Sequence, residues 1–186
     1  AMLMEMPEVQ LGVIVYSYGK KYERYEIDGV TYYLVPTAQI DKTTKKQIEA
    51  CNEAIWDFAP DLIHIHGTEH SLAKAVCMAN EDRVKTVANI QGLAGPYMRY
   101  ADGRLSLWDK WMNITPLDFY RGTFLLNAKR SFKHRAECEH YVLTHITDIV
   151  GRTGWDHDHV MTVNPRLRYH FMNETLRDSF YEAPVW

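Results

Sequence analysis

The sequence predicts an α/β domain in which a parallel sheet carries helices on both faces. Three observations lead there. Short β-rich runs (VQLGVIVYS, DLIHI, VKTVANI, HITDIVG and RYHFM) recur along the chain. Stretches with apolar residues three or four apart lie between most of them, as the crossovers between parallel strands require. The 186 residues, 46% of them hydrophobic, suffice for one domain with its own core.

Residues 9–17 make the first strand. YERYEIDGVTYYLVP gives a hairpin near 22–35, turning at Asp28-Gly29, a pair that tolerates positive φ. Asp41 is expected to cap a helix running to about residue 58, with Ile48, Cys51, Ile55 and Phe58 inward and Pro60 as its stop. Residues 61–65 form the next strand, and Thr68 is expected to cap a helix over 69–79. A strand at 84–90 breaks at Gln91-Gly92. The connector beyond it bears Tyr97, Tyr100, Trp108 and Trp111, for which core packing is expected by default, the alternative being that they line a cleft or cradle an apolar partner.

Thr115-Pro116-Leu117-Asp118 starts a helix with a cap, a proline at the first position and an acid at the third. It carries Tyr120, Phe124, Ala128 and Phe132 inward and runs to about residue 141. A strand at 145–151 leads to Thr153 and Asp156, a capping-box start for a helix ending at Pro165. A strand at 168–172 follows. No strand, glycine-rich turn and helix precede Val9, and the sequence ends in FYEAPVW. Residues 1–186 are therefore expected to be a single domain truncated at both ends.

A net charge of −3 gives no electrostatic basis for nucleic-acid binding. No apolar run approaches the roughly 20 residues that span a bilayer. Cys51, Cys77 and Cys138, odd in number and far apart, suggest reduced thiols and a cytoplasmic location.

The most informative stretch is DLIHIHGTEH, residues 61–70. His64 and His66 are two apart on a strand and share one face. With His70 they could ligate a metal, as the His-x-His pair of zinc amidohydrolases does, although such a barrel needs roughly 250 residues. The alternative is a strand end opening on a ligand cleft, with His66 nearest the cleft and His64 a hydrogen-bonded core residue. There Gly67, Thr68 and Glu69 start the next segment. Gln91 and Gly92 sit at the matching end of the following strand, and Arg152 and Thr153 at the next. In GWDHDH, capping accounts for Asp156 better than a metal does. KRSFKHR reads as a solvated helix face, or as a surface for an anionic membrane or a phosphate-bearing substrate.

Three stretches, PDLIHIHGTEH, VANIQGLAG and DIVGRTGWDHDHVMTVNPRLRYHFMNETLRDSFY, in this order, resemble the amino-terminal domain of family-4 glycosyltransferases. The resemblance implies a Rossmann-like sheet, one of the two domains of the GT-B fold. It implies a retaining transferase that moves a sugar from a nucleotide-sugar donor to a hydroxyl acceptor without a metal or other cofactor. The expected partners are a sugar or lipid-linked sugar acceptor and, mainly through a carboxy-terminal domain, the nucleotide sugar. Nucleic acid is not among them, and contact with the inner membrane face would be peripheral. His66, Gly67, Thr68, Glu69, Gln91, Gly92, Arg152 and Thr153 match positions facing the cleft, for substrate contact rather than chemistry. Many family members have histidine where this chain has Gln91. Besides the transferase and the hydrolase, a non-catalytic module holding a sugar or nucleotide would use the same cleft.

Overall fold

The computed structural model describes residues 6–18, 21–37, 42–101, 103–121, 125–173 and 178–182. Strand β1 (Gly12–Ser17) pairs in parallel with β3 (Val30–Pro36), and β2 (Glu23–Ile27) pairs antiparallel with β3. The β2–β3 hairpin turns where expected: Asp28 (φ 51°) and Gly29 (φ 76°) both take the left-handed conformation that a tight two-residue turn needs. Asp57 holds the hairpin against the next helix by accepting from Tyr33 Oη (2.6 Å) and Arg24 Nε (2.9 Å).

Helix α1 (Lys45–Phe58) is capped by Thr44, not by Asp41, which lies outside the described residues. Gln47 explains the shift. Its backbone N–H donates to Thr44 Oγ1 while its side chain accepts from the Thr44 N–H, closing a capping box that Asp41 is too far upstream to make. Ala59 ends the helix in the left-handed conformation just before Pro60.

The second sheet is fully parallel, ordered β4 (Leu62–His66), β5 (Lys85–Asn89), β6 (Asp148–Gly151) and β7 (Arg168–Phe171). The register pairs His66 with Asn89, Asn89 with Val150, and Gly151 with Phe171, so the carboxyl ends of the strands align. A single sheet was expected; among the described residues the strands form two, because β1 and β4 are not hydrogen-bonded to each other.

Helix α2 (Ser71–Asn80) begins three residues beyond Thr68, with His70 at its cap position and no side-chain cap bond. Tyr16 replaces the expected threonine: its phenol oxygen accepts from Leu72 N (2.6 Å) and meets Ser71 Oγ at 2.8 Å. The connector carries α3 (Ala94–Met98) and α4 (Leu107–Met112), and its aromatics are exposed rather than packed in the core. Helix α5 (Pro116–Arg121) has the predicted start, Asp118 N donating to Thr115 Oγ1.

Helix α6 (Leu125–His145) runs four residues past the expected end, which shortens β6 to Asp148–Gly151. Among its described side chains the buried ones are Cys138, Glu139, Val142 and Leu143. Tyr120 is 89% exposed on α5, Phe132 is half-buried, and Phe124 and the Ala128 side chain lie outside the described residues. Helix α7 (Gly154–Val163) starts at the predicted Thr153–Asp156 box, and α8 (Asp178–Glu182) is the last element described.

The core joins α1, α2, α6 and α7 to the strands through Cys51, Ile65, Ala75, Ala88, Leu143, Ile149 and Val160. Buried Asp148 ties β6 to β7 by accepting from Arg168 Nη2 (2.6 Å) and Thr147 Oγ1 (2.8 Å) and contacting His170 Nε2 (2.9 Å). The Arg168 bond foremost holds its carboxyl well below the usual range. That contribution to stability is present above the ordinary aspartate value and lost as the pH falls through the native one.

No disulfide joins Cys51, Cys77 and Cys138, and burial pushes the Cys51 and Cys77 thiols up to about 12. Among the described residues, no helix is long and apolar enough to cross a membrane.

Gly151 on β6 lies close against the Tyr169 side chain of β7. A Cβ there would fall on the Tyr169 hydroxyl and lie 2.8 Å from two ring carbons. The ring is held by its own bond to Thr153 O (3.1 Å) and by edge contact with His157. Gly151→Ala is expected to cost about 1–3 kcal/mol in urea unfolding, since the ring has little room to yield.

Candidate functional site

The site forms where β4 and β5 end. Gly67 takes φ +85° and donates its N–H to Asn89 O (3.0 Å), extending the ladder by one bond before the chain turns. A Cβ at this position would meet the His70 ring at 3.1 Å and Glu69 Oε2 at 3.2 Å, so the turn requires glycine. It carries Thr68 inward, where the side chain is fully buried (0% exposed) and Oγ1 has no hydrogen-bond partner. Glu69 is half-buried. Its Oε1 lies 3.3 Å from His70 Nε2, and its Oε2 has no partner.

After β5, Gln91 is exposed, and nothing stands within 4 Å of where a side chain on Gly92 would begin. The backbone then enters α3, whose first amides meet Glu139 from α6. Ala94 N donates to Oε2 (2.6 Å) and Gly95 N to Oε1 (3.0 Å). Glu139 is 2% exposed, and burial pushes its carboxyl up to about 7, with Glu69 adding to the rise and the two N–H bonds opposing it. His159 Nε2 lies 3.6 Å away. Burial and Arg99 lower the His159 value while that of Glu139 is raised, so near neutral pH the contact is not a full ion pair.

Beside this cluster is a cavity of about 240 Å³, lined by Glu69 and Arg135, the Gly92–Ala94 backbone, Tyr97 and Phe132. Of the residues expected from the sequence, it brings together Glu69 and Gly92. The β6 edge does not contribute: Arg152 N and Thr153 N both donate to Asp156 Oδ2 at 3.1 Å, and Asp156 N returns a bond to Thr153 Oγ1. The capping box has taken those amides. His66 and Gly67 line a different cavity, between β1 and β4.

His64 is exposed, not a hydrogen-bonded core residue. Its ring lies 4.2 Å from that of His66, and although the residue as a whole is exposed, partial desolvation of the ring and then the neighbouring His66 lower its value. Among the described residues, no group of three or more His, Cys, Asp or Glu is placed to hold a metal ion.

The chain matches no protein-family model. No curated protein matches it significantly in sequence. What the site can do therefore rests on its own chemistry. An acid and a guanidinium beside an open glycine backbone, with aromatic walls, suit a small ligand rich in hydroxyls.

Glu139 is the residue that the sequence reading missed. The signal was present, because Arg135, Cys138, Glu139, Val142 and Leu143 continue the three-and-four spacing of the helix. A carboxylate inside that stripe has to be satisfied by something outside the helix.

Proposed function

We propose that the chain is the acceptor-side domain of a family-4, GT-B-fold glycosyltransferase that retains anomeric configuration and needs no metal. The observation that carries this is the 240 Å³ cavity at the carboxyl edge of a parallel sheet, with Glu69 and Arg135 beside the side-chain-free backbone of Gly92. Ligands of open α/β sheets enter at that edge.

Acceptor hydroxyls would bond to Glu69 and to the backbone around Gly92, with Tyr97 against the sugar's apolar face. Glu139 is a positioning residue, holding the start of α3 through two amides. The nucleotide sugar would bind mainly through a carboxy-terminal domain, and closure of the two domains would exclude water and orient the attacking hydroxyl. The exposed Lys129, Arg130 and Lys133 on α6 fit peripheral contact with an anionic cytoplasmic membrane face.

Half a cleft cannot complete that geometry, so the 186-residue chain is expected to bind an acceptor weakly and to turn nothing over. Methyl glycosides at concentrations on the order of 1 mM should shift the amide signals of Glu69, Gly92 and Ala94 in an isotope-labelled sample. UDP-glucose and GDP-mannose should give no glycoside product. Turnover by the chain alone would refute the half-cleft mechanism, and undisturbed signals at those three amides would refute the acceptor site. Nanomolar glycoside affinity would favour a self-sufficient binding module instead.

A further inference from the structure

The connector between β5 and α6 turns its apolar side chains to solvent. Among the described residues, nine large apolar side chains between positions 97 and 120 are exposed, a density that marks an interaction surface rather than scattered surface residues. Helix α4 is at its centre. Leu107, Trp108, Trp111 and Met112 stand one, three or four positions apart, which places them on one helix face, and they are 59–77% exposed. Lys110, on the other face, is the one residue of this helix that is half-buried. Helix α5 repeats the inversion: Leu117 and Tyr120 are exposed while Asp118 is half-buried. A helix that packs its apolar face on its own domain has the opposite polarity.

The apolar face is held in place by local bonds. Ser106 and Asp109 close a capping box at the start of α4, and Asn113 Nδ2 donates to Asp109 O (2.8 Å) at its end. The Trp108 and Trp111 rings lie 5.6 Å apart. No residue of α4 is buried, so its caps do the work that burial does for a longer helix.

Charge identifies what covers this face. Residues 97–135 contain eight Lys or Arg and three acids, a net of +5 in a chain whose total is −3, which leaves −8 elsewhere. The basic turn of α6 lies beside the start of the connector, because Phe132 and Arg135 line the same cavity as Tyr97.

We propose that the connector is a membrane-docking surface: Leu107, Trp108, Trp111 and Met112 enter the interfacial layer of an anionic bilayer, and the surrounding Lys and Arg side chains meet its headgroups. Indole suits that boundary, since its ring is apolar and its N–H can still reach water or a headgroup. A second copy of the chain would set +5 against +5. A nucleic acid would match the charge but offer nothing to Leu107 and Met112. A folded protein would need acids ringing an apolar pocket of fitting shape, whereas an anionic bilayer supplies both without a shape requirement. This insertion goes beyond the electrostatic contact proposed for α6 and does not depend on the transferase reading.

The probe is a vesicle of about one-third phosphatidylglycerol in phosphatidylcholine. The chain should bind it at least about tenfold more tightly than vesicles of phosphatidylcholine alone. The double variant Trp108→Ser, Trp111→Ser should bind the anionic vesicles about tenfold or more weakly than the unaltered chain. With fluorotryptophan in the unaltered chain, a nitroxide in the upper acyl chain should broaden the Trp108 and Trp111 signals and spare those of Trp56 and Trp155. That measurement decides even if the double variant fails to fold. Binding that survives in the double variant but is abolished by Lys129→Ser, Arg130→Ser and Lys133→Ser together would overturn insertion and leave contact through α6. Equal affinity for the neutral vesicles, or no binding to either, would also overturn it. Lipid-free dimerisation that the double variant loses would assign the face to a second copy instead. An acceptor site at Glu69 and Gly92 would survive each of these results.

Discussion

Glu139→Ala is expected to lower stability by about 2–4 kcal/mol, because it strips two amides of their shared acceptor and leaves a space beneath α3. Ala94 N–H is buried, so water does not readily replace the lost carboxylate. Gly95 belongs to the same arrangement, since a Cβ there would stand 2.9 Å from Glu139 Oε1. The stability of the unaltered chain should also depend on pH through this residue. Its carboxyl is raised from an ordinary 4.5 to about 7 in the folded state.

A raised value means that the folded chain holds the proton more tightly than the unfolded one. The associated stability is fully present below the unfolded value and is lost as the pH rises to about 7. The difference amounts to roughly 3 kcal/mol across that window. Glu139→Gln removes the titration while keeping one acceptor oxygen. Urea unfolding of both proteins from pH 4 to pH 8 should therefore show their stability difference changing steeply between the two values and flattening above them. A constant difference would mean that Glu139 does not sit in the apolar surroundings described.

Leu143→Ala is expected to cost about 3–5 kcal/mol, the upper part of the range for a buried leucine. Leu143 is fully enclosed where α6 meets α7 and the sheet, and its carbonyl accepts from Asn164 Nδ2 (2.9 Å), which anchors the end of α7. Little around it can collapse into the space. Tyr120→Ala should change stability by no more than about 0.5 kcal/mol, given how far that ring stands in solvent. The pair tests directly which face of the α5–α6 region is inward. A large loss at Tyr120 with a small one at Leu143 would restore the inward face expected from the sequence.

That contrast also marks how far the sequence is legible. Features set within a few residues were readable: the Asp28-Gly29 hairpin, the boxes at Thr115–Asp118 and Thr153–Asp156, and the stop at Pro60. In each, the partner that satisfies an amide or sets a dihedral lies within four residues. The five apolar runs became strands for the same reason, alternating or continuous burial being a property of the segment itself. Of the candidate site, the positions of Gly67 and Gly92 at strand ends were legible, because a strand run ends visibly in sequence.

The rest depended on which distant groups met. Thr68 looked like a cap, yet Tyr16, more than fifty residues earlier, takes the helix amide and leaves Thr68 buried. Arg152 and Thr153 looked open to a ligand, but their amides were already engaged by Asp156. Glu139 became part of the site only because α6 lies across the start of α3, 44 residues back along the chain. The sequence by itself determined the strands, the helix starts at Pro116 and Gly154 and the glycine turns, since local hydrogen bonding and side-chain periodicity specify these. Only the tertiary structure decided which carboxylate is buried, which cavity contains which strand end, and that β1 and β4 stand apart. Those outcomes depend on contacts between residues far apart in the chain, and no short stretch of sequence encodes them.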